Sequence, residues 1–427
     1  MVGWFLRLMA WGMVAIWSLS GSCYSATVVS ESQVLQVFFE KNLPMLAGKA
    51  QLDKAQAELA IARQVANPSM SLSVAGIGDS KNWQGGNSYW DKPYSNNLSV
   101  SQLVETAGKR QLRIAGAELG AQAQGLLFED LLRLLKREVL IAYYQVVKQQ
   151  QMVALYNEIL QKLNETSRAN FLRLKAGDIS ETEFNRIEVA VLKAKTDVEQ
   201  AHLALSLARQ QLSELLVYHF EPEQLVTVDH FPQTILMPNQ TASKNIQRAL
   251  SLRPDVQAAQ RLLEQQQTSV SLAEKLSTPD VQLGMQLVHD PSAATKDSFG
   301  VGVGISLPLW HQFQGEIQQA RAQKRVSELS LAQLEHQVKT QVLQAHAQFE
   351  QKQRILARFD EELIGRAVQI RRSSLIAYQQ GAISLLELLD AENNYRTTML
   401  DYTQAQYDLV QAKLSLDYAL GEEGNGQ

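Results

Sequence analysis

Phe299-Gly300-Val301-Gly302-Val303-Gly304-Ile305-Ser306-Leu307 alternates large apolar side chains with glycine or serine at every second position. A period of two puts all the large side chains on one face of a strand and leaves the other face nearly bare. Upstream, Val281, Leu283, Met285 and Leu287 alternate with polar or small residues, and the polar connection from His289 to Asp297 is rich in turn formers, so the two runs read as a hairpin. A weaker copy stands in the first half of the chain. There Met70, Leu72 and Val74 alternate with Ser69, Ser71 and Ser73, and Leu98 and Val100 alternate with Ser99 and Ser101, across a polar loop from Asp79 to Pro93. Strands of about nine or ten residues with one apolar and one small polar face suit a membrane β-barrel, whose outside meets lipid and whose inside meets water. Four strands cannot close one, because the smallest bacterial barrels have about eight; three copies would give about twelve. Trp83, Tyr89, Trp90, Tyr94 and Trp310 lie at or near strand ends, where an aromatic girdle belongs; local packing of loop aromatics is the alternative. For the hairpins themselves the alternative is a small soluble sheet capping a helical bundle.

Outward from the hairpins the period changes to that of helices. Leu132, Leu135, Val139, Ala142, Val146, Gln149, Val153, Tyr156, Leu160 and Leu163 step by threes and fours. So do Phe184, Ile187, Val191, Ala194, Val198, Ala201, Leu205, Ala208, Leu212 and Leu215. Both read as coiled-coil seams, and alanine in the second lets antiparallel helices approach closely. Residues 110–175 would span about 100 Å as one helix at roughly 1.5 Å per residue, residues 180–217 about 57 Å, and residues 44–66 about 35 Å. Two short helices stacked end to end thus match the long one. The second half repeats this with 254–277 and 383–420 set against a single helix over 312–379.

The chain is built twice. Gly177-Asp178-Ile179-Ser180 with Glu183 and Glu188 parallels Gly381-Ala382-Ile383-Ser384 with Glu387 and Glu392, and Leu43-Pro44 with the helix after it parallels Arg253-Pro254. The glycines punctuate the turns between paired helices. The implied fold is mainly α with a small β part, an internally duplicated protomer of long antiparallel coiled-coil helices. Its expected divisions are a first repeat over 26–220 with a strand hairpin at 69–104, a linker at 221–240, a second repeat over 241–421 with a hairpin at 280–308, and a flexible tail at 422–427.

The first 25 or so residues read as a secretory signal peptide: Arg7 after Met1, an apolar stretch from Leu8 to Leu19, then Ser20, Gly21 and Ser22. That stretch is shorter than the roughly 20 residues of a membrane helix, although a retained anchor is the alternative. Cys23, the single cysteine, falls at the cleavage region, which excludes an intrachain disulfide and a cysteine zinc site. It is a candidate for lipidation, but Ser20 stands where a lipobox normally has Leu, and cleavage after Ser22, Ser25 or Ala26 is the competing reading. A formal charge of −4 and the lack of a basic run argue against nucleic acid as a partner. With 10 Pro, 23 Gly and 7% aromatics in 427 residues, the composition favours long helices over several small domains.

The stretch Tyr378-Gln379-Gln380-Gly381-Ala382-Ile383-Ser384-Leu385-Leu386-Glu387-Leu388-Leu389-Asp390-Ala391, followed by Tyr395, Tyr402 and Tyr407, resembles the TolC family of outer-membrane efflux proteins, with an earlier echo at Leu174-Lys175-Ala176-Gly177-Asp178-Ile179-Ser180. The resemblance covers essentially the whole chain after the signal peptide. It implies a homotrimer with a twelve-stranded barrel in the outer membrane of a Gram-negative cell, each chain forming one third, continued by a helical barrel into the periplasm. Ser101-Gln102, Gly108-Lys109-Arg110, Ala115 and Ala117 look like the cobalt-zinc-cadmium branch. The implied function is the exit duct of a tripartite RND-type system exporting heavy-metal cations. A duct for a multidrug pump or a type I secretion system is the alternative, and a soluble periplasmic coiled-coil scaffold is the alternative of another class. By the same resemblance, Gly177, Ile179, Ser180, Gly381, Ile383 and Ser384 form periplasmic tips that meet a membrane-fusion adaptor protein, while an inner-membrane pump supplies the energy. Glu387 and Asp390 fall where family members line the periplasmic aperture, so three copies would make a carboxylate ring whose crowding raises some of its pKa values; an ordinary solvated helix face is the alternative. Ile383 stands where some members carry an aperture-closing Arg.

No enzyme constellation, cofactor motif or metal-ligand set emerges. The Gly300 to Gly304 alternation has the period of a strand rather than a phosphate loop, and Gly108-Lys109 has Leu103 and Arg110 where such a loop needs Gly and Ser or Thr. His336 and His346 are ten apart on one helix, too far to share a metal without other partners.

Overall fold

The computed structural model describes residues 27–77, 89, 94–228, 230–232, 241–291, 293–359 and 361–421. The signal-peptide reading, Cys23, Trp83, Trp90, most of the 79–93 loop, the later part of the 221–240 linker and the 422–427 tail lie outside them.

Strand β1 (Thr27–Val29) leads into α1 (Glu31–Lys41) and α2 (Leu43–Arg63). Strands β2 (Ser69–Ala75) and β3 (Ser95–Val104) form the first hairpin. Then come α3 (Lys109–Ala176) and α4 (Glu181–Leu215), and β4 (Leu225–Thr227), which pairs in parallel with β1. The second half gives α5 (Ala242–Leu252), α6 (Pro254–Lys275), the hairpin of β5 (Val281–His289) and β6 (Asp297–Ile305), then α7 (Gln314–Leu356), α8 (Glu361–Gln379) and α9 (Leu385–Leu420). Among the described residues no helix is long and apolar enough to cross a membrane.

The 68 residues of α3 make a rod of about 100 Å. Helices α2 and α4 pack on it from the first half, α6 and α9 from the second. The expected seams face inward: Leu135, Val139, Ala142, Val146, Gln149, Val153 and Leu163 are buried, as are Ile187, Val191, Ala194, Ala201, Leu205, Ala208 and Leu212. The largest core cluster gathers Val34, Phe38, Tyr143, Val146, Leu212 and Leu225 beside the β1–β4 pair. A second joins Val256, Val342, Phe349 and Leu416.

The helix expected over 312–379 is corrected to two, α7 and α8. At its end the N–H groups of Arg358 and Phe359 turn to carbonyls three residues back, on Ile355 and Leu356, at 3.1 and 2.9 Å, which tightens the last turn and stops the rod. Phe359 lies against Tyr402 of α9, ring centroids 6.0 Å apart. Glu361 and Glu362 then open α8, where negative charge suits the positive end of a helix.

Both helical reversals use one device. At Gly177 (φ +80°) and Gly381 (φ +74°) the chain enters the left-handed region, and the next N–H, of Asp178 or Ala382, closes on Arg173 O or Ala377 O at 2.8 Å. Ser180 and Ser384 cap the returning helices, accepting from the N–H of Glu183 at 3.2 Å and of Glu387 at 3.3 Å.

Candidate functional site

The four strands form one antiparallel sheet in the order β2-β3-β5-β6. Its register stacks like with like. Leu72, Leu98, Leu287 and Phe299 make one row across the sheet, and Met70, Val100, Met285 and Val301 the next, with Leu283 beside Val303 below them. This face is open: Val301 is 79% exposed, Met70 74% and Val303 71%. Burying so much apolar surface is worth roughly 25 cal/mol per Å², so an unpartnered face of this extent needs an apolar surrounding.

The opposite face carries Ser71, Ser99, Gln286 and Gly300 in one row, and Ser69, Ser101, Gly284 and Gly302 in the next. Cross-strand hydroxyls pair at 2.8 Å, Ser69 with Ser101 and Ser71 with Ser99, and Gln282 Nε2 donates to Ser101 Oγ at 2.9 Å. A Cβ at Gly300 would stand 3.1 Å from the Gln286 side chain, so the bare position makes room for its neighbour. Aromatics mark both ends. Tyr89 and Tyr94 stack at 5.6 Å beside the hairpin turn, and Trp310, 93% exposed, follows β6 at the helical end.

At the far end of the rods the two reversals share one core: Ile187 and Val191 of the first pack with Tyr378, Leu385 and Leu388 of the second, flanked by Ile383 and Phe184. Tyr378 Oη donates to Asn170 Oδ1 at 2.5 Å, joining α8 to α3. A groove of 390 Å³ opens beside that bond, lined by Thr166, Arg173, Leu375 and Gln379 among others. Ile179 is 9% exposed, whereas Gly177 and Gly381 face open space. Two helical turns up, Arg371 of α8 donates to Glu158 of α3 at 2.6 Å and to both oxygens of Glu392 of α9 at 3.1 and 3.0 Å, and lies over the Tyr395 ring at 4.2 Å. Burial pushes the Glu392 carboxyl up against the opposing pull of Arg371. Arg396 of α9 reaches Asp197 of α4 at 2.8 Å. These cross-links were not legible in the sequence: Asn170 and Tyr378 are 208 positions apart, Glu158 and Arg371 213.

Glu387 and Asp390 sit one turn apart at the start of α9. Glu387 is engaged locally: its Oε2 accepts from Ser384 N at 2.7 Å and Ser384 Oγ at 2.9 Å, a complete capping box. Those bonds favour the charged form and lower its pKa, opposite in direction to the crowding argument made for a ring. Asp390 Oδ2 accepts from Asn394 at 3.1 Å.

An outward apolar and inward polar sheet, carried on helical rods ending in paired tips, defines the protomer of a TolC-like channel. The chain belongs to the outer membrane efflux protein family, whose model matches residues 34–216 and 245–422. It is 21% identical over 383 residues to the cobalt-zinc-cadmium resistance protein CzcC of Cupriavidus metallidurans, covering 89% of this chain and 87% of that one. It is 24% identical over 284 residues to toxin and drug export protein A of Aggregatibacter actinomycetemcomitans, covering 64% and 61%. In fold it matches the crystal structure of CusC with a TM-score of 0.76 over 92% of both chains at 18% identity. It is thus an outer-membrane protein whose helices extend into the periplasm, and the soluble scaffold is set aside.

Proposed function

We propose that three copies of this chain close head to tail into the exit duct of a tripartite RND-type pump that expels heavy-metal cations. The observation that carries the duct is the sheet. Its edge strands β2 and β6 run in opposite directions and both lack an outer partner among the described residues, so β6 of one copy meets β2 of the next as an antiparallel pair. Three four-stranded sheets then close into a barrel, serine and glycine inward and the Val301 and Met70 rows toward lipid. Helical rods of about 100 Å continue the lumen into the periplasm.

The tips at Gly177, Ile179, Ser180 and at Gly381, Ile383, Ser384 are the contact for a membrane-fusion adaptor, and the groove beside Tyr378 gives that contact relief. Glu387 and Asp390 form the carboxylate ring at the periplasmic aperture. Likeness to CzcC and the Gly108-Lys109-Arg110 segment support metal cations as cargo; likeness to toxin and drug export protein A supports a drug or secretion duct as the second reading. Planar-bilayer recording of the purified protein, with its mass measured in detergent, tests the duct: stepwise channels from a trimer are expected, and a monomer without conductance would overturn it. Cargo is read from cells lacking the gene, which should gain sensitivity to cobalt, zinc or cadmium; sensitivity to drugs alone would move the assignment to the second reading.

A further inference from the structure

Where α9 ends, three guanidinium groups gather around one phenol ring. Arg133 and Arg137 of α3 stand 4.8 and 5.1 Å from the centroid of Tyr418, and Arg253, which precedes α6, stands 5.7 Å away. Arg253 is fully bonded: it grips Asp255 through contacts of 3.0 and 2.6 Å and donates to Gln341 at 2.8 Å. Arg133 is only 8% exposed, and its Nη2 donates to Asp130 at 2.6 Å. Yet its Nε and Nη1 are buried with no acceptor, as is Nε of Arg137. Three arginines against Asp130 and Asp255 leave a surplus of positive charge, and a buried charged donor without an acceptor is among the costliest features a fold can keep.

The chain passes through this cluster as it leaves α9. Gly421 takes φ +76°, and a Cβ there would stand 3.2 Å from Arg133 Nη1 and 3.0 Å from Arg253 Cγ. The next two residues are Glu422 and Glu423. Successive Cα atoms are about 3.8 Å apart, so their carboxylates begin within side-chain reach of the unbonded donors. We propose that the arginine cluster is a dock for the chain's own Glu422–Glu423 segment, whose carboxylates supply the acceptors that Arg133 and Arg137 lack. Docked, the segment staples the end of α9 to α3 and to the start of α6, fixing one end of the helix whose other end carries Glu387 and Asp390.

A Glu-specific endoproteinase tests this on the full-length, detergent-purified protein, with loss of the residues after Glu422 or Glu423 read by intact mass. A docked segment is cut only while it is open, so Arg133→Gln and Arg137→Gln should each speed this cut about tenfold with cuts elsewhere unchanged. Equal rates in the parent and both variants would overturn the proposal. Arg137 is the less buried of the two, and its variant keeps the test valid if Arg133→Gln does not fold. A thermal comparison adds a second reading: Glu422→Gln with Glu423→Gln should lower the melting temperature as far as Arg137→Gln does, and the triple variant no farther. Additive losses would overturn the dock. An Arg133-dependent rise in melting temperature with inorganic phosphate, equal in the full chain and in one cut after Gly421, would assign the arginines to a free anion instead.

Discussion

Glu387 shows how one side chain serves two descriptions. Its spacing from Gly381 marks it for an aperture, while its bonds make it the reciprocal member of the α9 capping box. Its carboxyl titrates below the ordinary glutamate value near 4.5, because Ser384 donates to it from both backbone and side chain. A carboxylate with a depressed folded pKa contributes stability above the unfolded value, and loses it as pH falls through the folded one. Exchange protection at the Glu387 N–H should therefore hold from neutrality to about pH 4.5 and decline in stronger acid. Glu387→Gln keeps the capping geometry without the charge, and should flatten that decline. An unaltered acid dependence in the variant would show that another group governs the start of α9. The first turn of α4 provides the control, since Ser180 caps it without the reciprocal bond that Glu387 makes at Ser384.

Among the elements, the strands separate what lipid must see from what water must see. Val301 and Gly302 are neighbours in β6 pointing to opposite faces. Val301→Arg would set a charge on the lipid side, at a cost of about 2–4 kcal/mol near the middle of the bilayer. Gly302→Ser adds a hydroxyl on the lumen side, where nothing lies within 4 Å of a new Cβ. Folding into vesicles, followed by the mobility shift of unboiled protein, should fall sharply for the first and stay near parent for the second; the opposite order would invert the faces. The tips allow an equally pointed test. At Gly177 and Gly381 a new side chain meets open space and carries only the strain of positive φ, which Asp tolerates better than most residues. Cells with Gly177→Asp and Gly381→Asp should retain the trimer and lose export, and full resistance would refute the adaptor contact. The alternation in β5 and β6, the heptad seams and the glycine reversals were all legible in the sequence, because each is a local pattern with its own period or punctuation. The stop after Leu356 was not: neither Pro nor Gly marks it, and it rests on i−3 hydrogen bonds and on Phe359 meeting Tyr402, a partner more than forty positions away. Arg371 with Glu158 and Glu392, and Tyr378 with Asn170, escaped for the same reason.

At the scale of the whole molecule, the duplication lets one chain supply two rod-and-hairpin staves, and threefold association multiplies them into a closed wall. The lumen narrows, on this reading, where the first turns of the three α9 helices converge. Glu387 is held by its own cap, so the charge freer to act on a passing ion is that of Asp390, whose printed partner is the neutral Asn394. Asp390→Asn should therefore lower cation selectivity, read as a shift of reversal potential in asymmetric salt, more than Glu387→Gln does. Neutralising both should raise the leak conductance of the closed channel, because like charges drawn together at a constriction hold ions and shape its field. If single-channel currents and reversal potential of the double variant match the parent, the two carboxylates are a solvated helix face and the constriction lies elsewhere. Should selectivity follow Glu387 instead, the capping box must open in the assembled trimer, and Ser384→Ala should then reproduce the parent selectivity while weakening the start of α9.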